Sequence, residues 1–156
     1  MANDIQSVAG SKIGISTTAP ATFNEAGYSA LTYINIGECT ELPTDIGRVY
    51  NVIKHNPVDT RATRKLRGSY DEGSSEFTCG LVAGDAGQAA AFAALSSDAM
   101  VYFEITLQDT NDKIWFPALI VKAPMTIGSV DNVLQIKFGV EITSSTTGVG
   151  IVTSFF

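Results

Sequence analysis

Charge is what this chain has least of. Asp, Glu, Lys and Arg make up 17% of its 156 residues, where about 25% is usual for a soluble domain. There is one histidine, His55, and one tryptophan, Trp115. A hydrolytic triad needs a base held between a nucleophile and an orienting acid. Lys54-His55-Asn56 has no nucleophile in a recognisable turn nearby, so His55 reads as a surface residue. Cys39 and Cys79 show no metal-ligand spacing and read as reduced core residues rather than a disulfide framework. No window approaches the roughly 18 apolar residues of a membrane span. The N-terminus "MANDIQSVAGSKIGIS" lacks the basic start and apolar run of a signal peptide. "GLVAGDAGQ" is glycine-rich but has neither a Lys-Ser/Thr pair nor a G-x-G-x-x-G pattern. No cofactor or metal site is expected, and no enzyme.

What is present is apolar content of 45% and a net charge of −6. The acidic balance argues against the whole molecule holding nucleic acid by neutralising phosphates, though not against DNA sliding past it. A surface so poor in charge leaves two readings open. Either much of it is covered by something else, or a small β-protein rich in Thr, Ser and Gly uses neutral polar groups instead.

The length fits one domain, residues 1–156. Residues 1–27 have little periodicity and read as an arm with one short strand, Lys12–Ser16. Strands follow around Thr32–Ile36, just after Gly37, and in "GRVYNVIKH" (47–55). "SEFTCGLV" places Phe77, Cys79 and Leu81 on one face. "GDAGQAAAFAALSSDA" is the one convincing helix, over 85–97. Asp85 is its N-cap, Gln88 stands at the capping-box position, and Ala89, Phe92 and Leu95 share a face.

The second half alternates clearly. Val101, Phe103, Ile105 and Leu107 point one way, and Tyr102, Glu104, Thr106 and Gln108 the other. "KIWFPALIVKA" is apolar on both faces, with Pro117 marking an edge or a bulge. In "NVLQIKFGVEITSS", Leu134, Ile136, Phe138, Val140 and Ile142 point inward and Gln135, Lys137, Glu141 and Thr143 outward. The expected fold is mainly β: an antiparallel sandwich or flattened barrel, one short flanking helix, a long inter-strand loop and extended terminal arms. Glu104 and Glu141 lie on outer faces of strong strands, as a neighbouring carboxylate pair or as two solvated acids.

The unusual segment is "NPVDTRATRKLRGSYDEGSS", residues 56–75. Arg61, Arg64, Lys65 and Arg67 crowd into it, with Arg48 and Lys54 just upstream. It shows no packed-strand alternation, and Tyr70 is its only aromatic. Loops this long are functional or disordered. The functional reading is a projecting arm that orders against a partner; the alternative is a solvated hairpin tip. The nearest complementary surface is the acidic body of an identical chain, which implies head-to-tail assembly.

The order of elements now resembles a known family. A strand, a long charged loop, the return strand "GSYDEGSSEFT", a helix opening "DAGQAA" and two or three strong strands are similar to the tail tube protein of long-tailed bacteriophages, whose fold the type VI secretion tube shares. The resemblance covers roughly residues 28–145, and "AGDAGQAAAFAAL" is its nearest part. It implies rings, hexameric in this family, that stack into a tube through which DNA leaves the virion without specific binding. It implies residues 56–75 as the inter-ring loop, with Arg61, Arg64, Lys65, Arg67, Tyr70, Asp71 and Glu72 as contact residues. Residues 1–27 and 146–156 would be arms, the latter carrying Ile151, Phe155 and Phe156. Glu104 and Glu141 become candidates for a lumen or inter-subunit face. The implied partners are further copies of the chain and tail tip or initiator, tape measure and tail terminator proteins, with no membrane. The implied location is the virion tail, assembled in the host cytoplasm. The loop is acidic in some relatives and basic here. Other classes stay open: another tail or secretion-tube component, or a monomeric β-sandwich binding module.

Overall fold

The computed structural model describes residues 5–156. In chain order it contains β1 (Lys12–Ser16), α1 (Glu25–Ser29), β2 (Ile34–Ile36), β3 (Cys39–Glu41), β4 (Val49–His55), β5 (Arg64–Asp71), β6 (Ser74–Gly80), α2 (Ala86–Leu95), β7 (Val101–Thr106), β8 (Lys113–Lys122), β9 (Met125–Thr126), β10 (Gln135–Ile142) and β11 (Val152–Thr153). Nine strands form one open antiparallel sheet in the order β2-β1-β7-β8-β10-β6-β3, with β11 added to β8 and β9 to β10. Among the described residues, β4 and β5 pair only with each other.

The sheet is strongly bent. The rings of Phe77 on β6 and Phe103 on β7 are 5.7 Å apart, although β8 and β10 lie between their strands. In a flat sheet three strand spacings would separate them by about 14 Å. The expected inward residues Phe103, Ile105, Ile136, Phe138, Val140 and Ile142 therefore meet in one core, with Phe77 and Cys79. Leu134 precedes β10 and is exposed.

Lys12–Ser16 is a strand, but not one on an arm. β1 runs between β2 and β7, with Ile13 opposite Ile105 and Ile15 opposite Phe103. Two isoleucines at period two suffice to bury it. Residues 1–4 of the expected arm lie outside the described residues. α1 was not anticipated, because five residues are too few for a helical period. Asn24 caps it, accepting from the Gly27 amide at 2.9 Å. Its Tyr28 covers the outer sheet face, stacking on Trp115 at 6.2 Å and burying Tyr102, which alternation had placed outward.

Pro117 sits in an interior strand rather than on an edge. β8 pairs with β7 along one side; on the other it pairs with β11 at Ile114 and Trp115 and with β10 from Ala118 onward. Pro117 falls in the gap between these two partners, where no ladder amide is required. The residue directly after that gap restores pairing.

The α2 helix begins as expected, with the Asp85 carboxylate accepting from the Gln88 amide at 2.8 Å. Its buried face is Gly87, Gln88, Ala91 and Ala94, not Ala89 and Phe92. The reason is close approach. A Cβ at Gly87 would stand 2.3 Å from the Asn35 carbonyl oxygen of β2, so only the small-residue face can dock. The Gln88 side chain does not close a capping box. It donates to the Gly37 and Gly80 carbonyls at 3.1 and 2.8 Å and accepts from the Val82 amide at 3.1 Å.

The cysteines are corrected as well. Cys39 and Cys79 are directly opposite in the β3–β6 pair and are joined as a disulfide. Their facing positions on adjacent strands, invisible in the sequence spacing, bring the two sulfurs together.

Candidate functional site

Half of the segment 56–75 is strand rather than loop. β5 takes residues 64–71 and folds back along β4, with Ile53 opposite Leu66, Lys54 opposite Lys65 and His55 opposite Arg64. The strand is legible in β4, whose Val, Tyr and Ile favour extension. In β5 the basic residues hide it, because both faces of the ribbon are exposed and neither needs an apolar stripe.

Residues opposite one another share a face, so the ribbon has two different sides. One carries Ile53 and Leu66, 53% and 64% exposed, with His55 and Arg64 beyond them towards the tip. The other carries Val52, Lys54, Lys65 and Arg67. On this side Arg48 lies 3.9 Å over the Tyr70 ring, Tyr70 lies 5.3 Å from Tyr50, and Arg67 lies 4.6 Å over Tyr50. This ladder of alternating rings and guanidinium groups stiffens the ribbon from its base outward. Arg61 is exposed in the connection at the tip.

The base is clamped. Glu72 is 4% exposed and is held by the Arg48 guanidinium at 2.6 Å, a hydrogen bond that raises the arginine pKa above its ordinary value. Arg48 also donates to the Gly148 carbonyl at 3.0 Å, as does the Tyr70 hydroxyl at 3.0 Å. Glu72, expected among the contact residues, is thus an internal anchor. Asp71 remains exposed and accepts from the Gly73 amide at 2.9 Å. Sequence reasoning missed Arg48 as a clamp. The available signal was its place just before β4, matching Glu72 just after β5.

Glu104 and Glu141 are not neighbours, since β8 separates their strands. Glu104 accepts from the Trp115 indole at 2.8 Å and from Lys113 at 3.2 Å, in the partly covered region beside α1. Glu141 is exposed on a polar groove with Glu41, Glu76, Lys122 and Lys137. There Lys122 lies across Gly139 to pair with Glu76, which holds that carboxyl below its ordinary range. The C-terminal segment is less of an arm than expected. Ile151 packs against the core, Val152 pairs with Trp115, and the Ser154 amide donates to Lys113 at 3.0 Å. Phe155 and Phe156 extend beyond, in contact with each other at 4.6 Å.

No family model matches the sequence, and no curated protein matches it. Solved structures do match. A chain of the anti-feeding prophage baseplate aligns with TM-score 0.67 at 12% identity, over 92% of this chain and 95% of that one. The SPP1 tail tube aligns with TM-score 0.59 at 18% identity, over 94% and 78%. The chain has the tail-tube fold. The sheath/tube terminator of the PVC extracellular contractile injection system shares it, with TM-score 0.64 at 8% identity over 99% of both chains. The tail-tube fold gives the β4–β5 ribbon, hereafter the arm, a context: its neighbours belong to multi-subunit tails and injection systems.

Proposed function

We propose that this chain is a structural subunit of a phage tail or related injection tube, and that it assembles head to tail with copies of itself. The observation that carries the reading is the arm. A two-stranded ribbon alone is marginal in water, yet this one holds Ile53 and Leu66 uncovered on one face and basic charge on the other, above an ion pair to the buried Glu72 that fixes its base. Such a surface is worth keeping when another molecule covers it. The acidic remainder of an identical chain has the complementary charge, and a heterologous contact of that kind repeats without closing. In this reading copies form rings, hexameric as the family resemblance implies, stacked around a channel for DNA, and the net negative charge keeps DNA from adhering. Tail tip, tape measure and terminator proteins are its further partners, and the virion tail its location after assembly in the host cytoplasm. The role is structural rather than enzymatic.

Negative-stain electron microscopy of concentrated protein tests this. Rings or hollow tubes are expected. Arg64→Glu with Arg67→Glu, one on each face of the arm, is expected to abolish stacking with little change in monomer stability, because exposed charges contribute little to it. Tubes of normal length from the double variant would remove the arm's basic residues from the contact.

A further inference from the structure

The arm needs a receiving surface, and the body offers one with the matching chemistry. Between the outward face of α2 and the β9–β10 edge lies an apolar groove of about 290 Å³, walled by Val82, Phe92 and Met125 and floored by Leu81 and Ile136. Phe92 is 43% exposed here, at the position where helical periodicity had called for a buried residue. Ile127 and Val133, between β9 and β10, are exposed as well.

Apolar lining and charge together suit this groove to the arm. Its lining holds one carboxylate, Asp85, and neither lysine nor arginine. The arm and its flank hold Arg48, Lys54, Arg61, Arg64, Lys65 and Arg67, six of the ten basic residues. An aliphatic patch flanked by cations fits an apolar groove that carries an anion and no cation, and the pairing has one direction.

The geometry points to the α2 groove as the docking site for the Ile53–Leu66 face of the arm of a second copy. Arg64, on that same face and nearer the tip, is then carried towards Asp85, while Lys65 and Arg67 stay on the side turned away from the groove. The inference rests on the head-to-tail reading above and names its second half. It also explains α2: the small-residue face docks on β2 and leaves Phe92 and Val82 for the neighbour.

Complementation tests it. Leu66→Glu spoils the arm but leaves the groove; Phe92→Glu spoils the groove but leaves the arm. Both sites are exposed, so each variant is expected to fold with a near-unchanged thermal midpoint, and Val82→Glu on the opposite wall replaces Phe92→Glu if it does not. Each single variant is expected to lower the association constant at least ~10-fold, because a carboxylate would be buried among apolar side chains. An equimolar mixture regains one good junction, between the Phe92→Glu arm and the Leu66→Glu groove. Sedimentation should show paired units that grow no further. If wild type assembles and Leu66→Glu blocks it while Phe92→Glu and Val82→Glu do not, the arm docks elsewhere and this inference falls alone. If Leu66→Glu also assembles normally, the arm reading falls with it. A wild-type chain that stays single at every concentration overturns both.

Discussion

Glu72 accepts two hydrogen bonds from Arg48, at 2.9 Å from Nε and 2.6 Å from Nη2, although the two residues are separated by the whole length of the arm. The carboxylate is buried and the arginine about one-third exposed. Removing one partner of such a pair strands the other. Arg48→Met is therefore expected to lower the thermal midpoint, and Arg48→Met with Glu72→Met to restore part of the loss. A double variant less stable than Arg48→Met would show that Glu72 is held by something other than this charge pair. Amide exchange in residues 48–71 should quicken in both variants while β7 and β8 stay protected.

Gln88 ties three backbone groups from separate turns to the start of α2. Gln88→Leu leaves the Val82 amide and the Gly37 and Gly80 carbonyls without it, and is expected to cost about 2–4 kcal/mol in urea unfolding. Gln88→Glu should be milder in acid than at neutral pH, because only a protonated carboxyl can donate to either carbonyl.

Tyr28 is fully buried, and its hydroxyl has no hydrogen-bond partner among the described residues. Burial pushes the phenol above its ordinary range, so it stays neutral. Tyr28→Phe keeps the ring on Trp115 and removes an unpaired polar group, with an expected gain of about 1 kcal/mol. A clear loss would mean that the hydroxyl has an acceptor.

The Lys122–Glu76 contact sets a pH dependence. Its hydrogen bond lowers the Glu76 pKa in the folded chain. The unfolded state therefore binds the proton first, and the stabilisation is complete above the ordinary carboxylate range and lost as pH falls through the folded value. Glu76→Gln is expected to flatten the acid side of the stability profile, and an unchanged slope would remove Glu76 as a source of it.

The Cys39–Cys79 disulfide closes a loop with a sequence separation of 40. In the chain-entropy description a loop of that size is worth about 4 kcal/mol. Adding reductant is expected to lower the thermal midpoint, and Cys39→Ser with Cys79→Ser to remove that sensitivity.

Much of the sheet was legible because β7 and β10 each keep a clean two-residue period against a single core. The alternation fails at Tyr102 because α1, too short to announce itself, covers the outer face there. The α2 start was legible from Asp85, but the docked face was not: Gly87 chooses it by how closely two backbones approach, and hydrophobicity carries no record of that. The basic cluster marked the arm correctly as unlike the body. Its ribbon pairing stayed hidden because neither side contributes to the core. Glu104 and Glu141 share an outward parity, but strand order, set by long-range pairing, decides whether two such residues meet.

Both ends of the arm leave the sheet at neighbouring points, where the Thr44 amide donates to the Ser75 hydroxyl at 2.9 Å and the Gly47 amide to the Glu72 carbonyl at 3.4 Å. Residues added in matched pairs to β4 and β5 would lengthen the ribbon by about 3.4 Å per pair without shifting a register in the body. The arm is thus a ruler whose graduations are independent of the core, and its reach from the body becomes a quantity that sequence can change while the fold stays as it is.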